Sequence, residues 1–125
     1  MNRVIKFRAW DKKEKRMYEW PFITHFFDEK IRVHKEGYGY IYIPMDDIEL
    51  LQYIGLKDKN GKEIYEGYIV KTGTDKDMRF YISEIVYEAP EFLCKNGKNF
   101  NTIFRNWEYG YEVIGNIYEN PELLK

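Results

Sequence analysis

The sequence predicts a mainly β protein, and three observations carry that reading. Aromatic residues are abundant, with 12 Tyr, 8 Phe and 3 Trp among 125 residues, and these types suit the half-buried, pleated surface of a strand. Several short segments alternate apolar with polar residues, as a strand does when one face lies in a core. Clusters of Gly, Asn and Asp punctuate those segments, as in antiparallel proteins joined by tight turns.

Taken in order, Ile5, Phe7 and Ala9 alternate with Lys6 and Arg8 and predict a first strand. The polar run Asp11–Lys15 joins it to Met17–Trp20 as a hairpin, which Pro21 interrupts. Phe22–Phe27 and Ile31–His34 flank Asp28-Glu29-Lys30, and Tyr38–Ile43 carries the tyrosines and isoleucines of a strand, with Gly37 and Gly39 marking a turn or bulge. Asp46–Tyr53 is too short to fix its own period and is read as a strand rather than a capped helical turn.

The second half has sharper punctuation. Lys57–Lys62 is a turn cluster, and Gly67 separates Glu63–Glu66 from the strand-like Tyr68–Lys71. Arg79–Glu88 reads as one long strand. Phe92–Lys95 and Lys98–Phe100 are joined by Asn96-Gly97, the pair that a type I′ hairpin turn favours. Tyr111–Tyr118 closes the set, and Asn120 followed by Pro121 predicts a short terminal helical turn capped by the asparagine. Residues 55–125 are thus expected to form a small antiparallel β-barrel, SH3-like or related, with residues 1–54 as an N-terminal β segment packed on it or continuous with it.

Charge and cysteine content narrow the function classes. Twenty Lys plus Arg against 21 Asp plus Glu leave a formal net charge of −1, so no global field draws the chain to nucleic acid or an acidic membrane. Cys94, the single cysteine, builds neither a disulfide framework nor a zinc site alone. The basic start of the chain lacks the apolar run of a signal peptide, and no stretch reaches the roughly eighteen apolar residues of a membrane span. A cytoplasmic protein is expected.

Three blocks of residues resemble one family. Ile5-Lys6-Phe7-Arg8-Ala9-Trp10-Asp11, then Gln52-Tyr53-Ile54-Gly55-Leu56-Lys57-Asp58-Lys59-Asn60-Gly61-Lys62-Glu63-Ile64-Tyr65-Glu66-Gly67, then Val113-Ile114-Gly115-Asn116-Ile117-Tyr118-Glu119-Asn120-Pro121-Glu122 are together similar to the YopX family of phage and prophage proteins, and the likeness spans nearly the whole chain. The resemblance implies a β-rich protein of bacteriophage or prophage origin, in a family of uncharacterised biochemical role, and brings no catalytic residues with it. One departure stands out: the family usually has Asp after the glycine of Ile-Tyr-Glu-Gly, where this chain has Tyr68, which replaces a turn-capping acid with an aromatic surface.

Chemistry-bearing patterns are sparse. His25, His34 and Cys94 are scattered without metal-ligand spacing, and Ser83, the lone serine, sits in no nucleophile-elbow motif. The acids Asp46-Asp47 and Asp75/Asp77 read as solvated turn residues rather than a catalytic pair. No catalytic residue, metal, cofactor or small-molecule substrate is therefore predicted, and the chain is expected not to be an enzyme. Two surfaces remain. Lys57, Lys59, Lys62 and Lys71 beside Tyr53, Tyr65 and Tyr68 combine cations with stacking rings as single-stranded nucleic-acid sites do, although Lys-Asp-Lys-Asn-Gly-Lys also reads as a solvated turn beside core tyrosines. Tyr38, Tyr40 and Tyr42 fall on one face of an extended strand. With Trp10, Trp20 and Trp107 as anchors or core fillers, they point to a binding module acting by protein contact or self-association. A nucleic-acid-binding barrel is the rival reading.

Overall fold

Alternation sets which side chains face inward on strands such as Lys30–Lys35, and the described residues form twelve strands. The computed structural model describes residues 4–20, 23–74, 79–103 and 110–124. Its strands are β1 (Phe7–Asp11), β2 (Arg16–Tyr18), β3 (Ile23–Phe27), β4 (Lys30–Lys35), β5 (Gly39–Pro44), β6 (Ile48–Lys57), β7 (Glu63–Tyr65), β8 (Tyr68–Thr74), β9 (Arg79–Glu88), β10 (Glu91–Asn96), β11 (Asn99–Thr102) and β12 (Tyr111–Asn116). All described pairings are antiparallel. The chain divides into two compact units, residues 1–52 and 53–125, and the boundary falls inside β6.

In the first unit β1 pairs with β2 on one side and with the first half of β6 on the other, from Phe7 opposite Gln52 to Asp11 opposite Ile48. A second sheet runs in the order β3-β4-β5. Ile31 and Val33 alternate with Lys30, Arg32 and His34, and their apolar set is buried with Ala9, Tyr18, Ile23, Ile43 and Ile48 in one core. Each such aliphatic side chain contributes roughly 1.5–3 kcal/mol by leaving water. Tyr18 brings its hydroxyl into that core, where the oxygen finds no hydrogen-bond partner among the described residues. Burial pushes its pKa up, only partly offset by Lys35 and Arg16.

The second unit is an antiparallel sheet in the order β11-β10-β9-β8-β12, together with a ladder between the second half of β6 and β7. The outer strands β11 and β12 do not pair among the described residues, so the sheet is a curled half-barrel. Ile64, Tyr65, Tyr68, Ile69, Val70, Ile85, Cys94 and Tyr111 are its buried apolar residues.

Three local expectations change. Asp46 and Asp47 belong to a one-turn 3-10 helix, Met45–Asp47, and the strand begins only at Ile48. The β10–β11 loop is Gly97-Lys98 rather than Asn96-Gly97: Asn96 pairs with Asn99, and only Gly97 has positive φ, at 60°. One positive φ at the first loop residue is the sign pattern of a type II′ turn, not the I′ turn that needs two. Asn96 instead donates its amide to the Ile82 carbonyl at 3.0 Å. The terminal 3-10 turn, Pro121–Leu124, is present, but the Asn120 side chain turns back to accept the Asn116 N–H at 3.2 Å.

Candidate functional site

The β4–β5 ladder presents Tyr40 and Tyr42, whereas Tyr38, expected on the same strand, lies in the turn that ends at Gly39, whose φ of 77° breaks the alternation. Ile41 and Ile43 alternate with Tyr40 and Tyr42, so drawing the isoleucines toward the core turns the tyrosines outward. Tyr38, Tyr40 and Tyr42 are 73%, 57% and 51% exposed. Arg32 and His34 lie opposite Tyr42 and Tyr40 in the ladder and share their face. The Arg32 guanidinium sits 4.2 Å from the Tyr40 ring centroid, and His34 meets the same ring edge-on at 5.3 Å. Lys35 lies 4.7 Å from the Tyr38 centroid while its ammonium donates to Glu14 at 2.8 Å, a hydrogen bond that holds its pKa above the ordinary lysine range. Each exposed cation–π contact is worth roughly 0.5–1 kcal/mol, enough to bias rotamers and leave a partly ordered aromatic surface. Because β5 ends its sheet, this face adjoins a sheet edge.

The lysine and tyrosine loop of the second unit is built differently. Tyr65 and Tyr68 are 5% and 3% exposed, and the Tyr65 ring lies 5.6 Å from that of Tyr53 and 5.5 Å from that of Tyr68. These rings pack against one another at a tilt inside the unit, so the buried Tyr65 and Tyr68 offer no face to a base. Gly67, with φ of 83°, reverses the chain between them. Its N–H bonds the Ile85 carbonyl at 2.7 Å, and its carbonyl accepts from Ile117 at 2.9 Å. Lys57, Lys59 and Lys62 are exposed and Lys71 is half-buried, but Lys59 already pairs with Glu112 at 3.2 Å.

At the centre of that loop sits Asp58, which the sequence reading placed among solvated turn residues. It is buried. One carboxylate oxygen accepts the Asn60 and Lys62 N–H groups, each at 2.9 Å, and the other accepts the Val113 N–H at 2.9 Å from 55 positions away. Burial alone raises the pKa of such a carboxyl, yet the three backbone donors outweigh that and hold Asp58 below the ordinary range. The acid is ionised and structural. The Asp-x-Asn-Gly spacing, in which an aspartate receives N–H groups just ahead of a glycine, was the available signal.

The other chemistry-bearing residues are likewise absorbed by the fold. Asp11 is buried and accepts the Lys13 and Glu14 N–H groups at 2.9 and 3.1 Å, capping the β1–β2 turn. Burial pushes the Cys94 thiol up to about 11, which leaves it protonated and unreactive near neutral pH. Ser83 is buried in β9, opposite Val70. Trp10 is buried, so it fills core, whereas Trp20 is 41% exposed. Trp107, Asp75, Asp77 and the side chain of His25 lie outside the described residues. Among the described residues no three His, Cys, Asp or Glu side chains converge as metal ligands, and no helix is long and apolar enough to cross a membrane.

Each of the three blocks that carry the family resemblance thus holds a turn together. Asp11 and Asp58 each hold a turn. In the third block Asn116 accepts the Tyr118 and Glu119 N–H groups at 3.0 and 2.8 Å and donates to Glu119 at 2.9 Å. Comparison with known proteins gives the family. The family model described as YopX protein matches residues 6–125. The chain is similar to the crystal structure of protein EF1440 from Enterococcus faecalis, at 32% identity and a TM-score of 0.74, with 99% of this chain and 100% of that one covered. It shares its fold with protein yopX from Bacillus subtilis, at 23% identity and a TM-score of 0.67, with 96% and 98% covered. No match is found among curated proteins. With a family model covering all but its first five residues, this chain belongs to the YopX family.

Proposed function

We propose that this protein is a non-enzymatic binding module of phage or prophage origin, working in the bacterial cytoplasm through protein contact, self-association included. One observation carries the reading: Tyr40 and Tyr42 stand exposed on one face of β5 and Tyr38 stands exposed in the turn before it, with Arg32 and Lys35 laid over two of the rings. Tyrosine and arginine are enriched in the cores of protein interfaces, where a rigid ring buries much area at small entropic cost. The finer likeness to an SH3-like barrel belongs to the same proposal. It is supported by β8 to β11 running as a meander, with β12 returning to pair with β8.

The test is light scattering behind a sizing column, together with capture of partners from prophage-induced host cells. Both are run on the parent and on a variant carrying Tyr40→Thr and Tyr42→Thr, which places a strand-favouring β-branched residue at each site. A discrete oligomer or a defined captured protein, lost in the variant, supports the reading. Unchanged behaviour in the variant refutes it. The same cations and rings also suit single-stranded nucleic acid. Titration with single- and double-stranded oligonucleotides at two salt concentrations addresses that, and submicromolar binding that weakens steeply with salt would make nucleic acid the target.

A further inference from the structure

The second unit carries a groove of about 530 Å3 between the β9–β10 ladder and the terminal 3-10 turn, lined among others by Ile82, Glu84, Lys95, Leu123 and Leu124, within the ~300–1,000 Å3 range of ligand sites. Ile82 and Glu84 are two residues apart on β9 and share one strand face. Lys95 stands opposite Glu84 in the ladder, and the leucines come from the turn. Glu84 is half-buried, and its carboxylate has no hydrogen bond or ion pair among the described residues. Lys95 is the residue best placed to neutralise it, yet its ammonium lies 5.8 Å from the Phe100 ring centroid across the next ladder and does not close on the acid.

A half-buried carboxylate whose desolvation Lys95 offsets only in part is stabilised further by a cation that brings its own hydrogen-bond donors. The aliphatic residues flanking it suit a methylene stem, as Lys and Arg stems lie along apolar surface with the charged head held beyond. We infer that this groove receives a basic side chain, lysine or arginine, from a partner protein, with the stem against Ile82, Leu123 and Leu124 and the head on Glu84. This site is separate from the tyrosine face and does not depend on it.

The probes are Nα-acetyl-lysine methylamide, the matching norleucine amide, which has the stem without the charge, and butylammonium, which has the charge and stem without the peptide unit. Binding is followed by NMR through the Ile82, Leu123 and Leu124 methyl groups. The lysine probe should saturate with a Kd on the order of 1–10 mM, as expected for a single residue, and bind at least about tenfold more tightly than norleucine. Glu84→Gln should erase that difference, and Lys95→Met should tighten lysine binding by removing a like charge. The charged groups on the strands paired with β9 are Lys95 on β10, opposite Glu84, and Lys71 on β8, two register positions away. Lysine binding should fade as pH falls through the Glu84 pKa, which burial raises and Lys95 lowers only in part.

Equal shifts from lysine and norleucine, an unchanged Glu84→Gln, or no saturation by about 50 mM lysine probe would each overturn the proposal. Butylammonium binding as tightly as the lysine probe would assign the groove to free amines instead. Folding gives an independent check. A carboxyl whose folded pKa is raised contributes stability below its unfolded pKa and loses it as pH rises through the folded value. Glu84→Gln should therefore raise the thermal midpoint near neutral pH, by on the order of 1–3 °C for a chain of this size. A fall would mean that Glu84 already has a partner, and the premise would fail.

Discussion

The two units solve one problem, a polar turn between short strands, with the same residue type but at different range. In the first, Asp11 caps its own hairpin, its carboxylate accepting among the described residues from Lys13 and Glu14 beside it. In the second, Asp58 does the same for Asn60 and Lys62 and then reaches Val113 on β12, so one carboxylate ties the β6–β7 turn to the far end of the chain. Tyrosines divide along the same line. Those of β5 face outward, and Tyr65 and Tyr68 face inward. Neither residue type carries its role with it: the range of its contacts decides whether it stabilises the unit or remains available to a partner.

The severest way to break this contrast is Asp58→Ala. It strands three part-buried backbone donors, and hydrogen bonds to a charged acceptor are individually strong, so a loss of about 3–4 kcal/mol is expected in urea unfolding. Loss of hydrogen-exchange protection at Asn60, Lys62 and Val113 should accompany it. Asp58→Asn keeps one acceptor oxygen but turns an NH2 toward one set of donors, and should fall between the two. The sign of the pH effect is set by the depressed pKa. The Asp58 contribution is fully present above the ordinary aspartate value of about 3.9 and is lost as pH falls through the lower folded value. The parent should therefore lose more stability on acidification than Asp58→Ala does.

Next in size is Gly115→Ala. A Cβ there would lie 2.6 Å from the Asn120 side-chain oxygen and 2.9 Å from its Cβ, and Asn120 cannot move without giving up the Asn116 N–H. Overpacking of this kind costs about 1–3 kcal/mol. Truncating Asn120 to alanine in the same chain should restore part of the loss, which thermal melts of the single and double variants would show. Asp11→Ala comes third, at about 1–2 kcal/mol, because it removes two local cap bonds and no distant one. If Asp11→Ala proved as costly as Asp58→Ala, range would not be what separates the units.

Strand positions were legible in the sequence because period-2 alternation is a local property, and β4, β5 and β9 lie where it placed them. The outward tyrosine row was legible for the same reason: Ile41 and Ile43 claim the core side, and Tyr40 and Tyr42 take what remains. Roles fixed by distant partners were not legible. Nothing near Asp58 announces Val113, so its carboxylate reads as one more turn acid. Tyr65 and Tyr68 straddle a glycine whose positive φ redirects the chain, and counting residues along the strand cannot reveal that both rings point inward. The hairpin at Gly97 failed more narrowly: Asn-Gly does mark the turn, but the asparagine side chain is committed to the Ile82 carbonyl and the loop shifts by one residue.

The smallest expected effect is also the sharpest test of the contrast. Tyr40→Thr removes a ring that is 57% exposed and is contacted by Arg32 and His34 from its own face. An exposed cation–π pair and a modest change in strand propensity together come to less than about 1 kcal/mol. The equivalent removal of Tyr65 takes a buried ring from between two others and should cost about 3 kcal/mol or more. A chain that keeps exposed tyrosines whose removal costs its own stability so little gains nothing structural from them, which is why they are the place to look for a partner. Should urea titration show Tyr40→Thr to be as damaging as the loss of Tyr65, the row would be holding the first unit together and the binding reading would lose its main support.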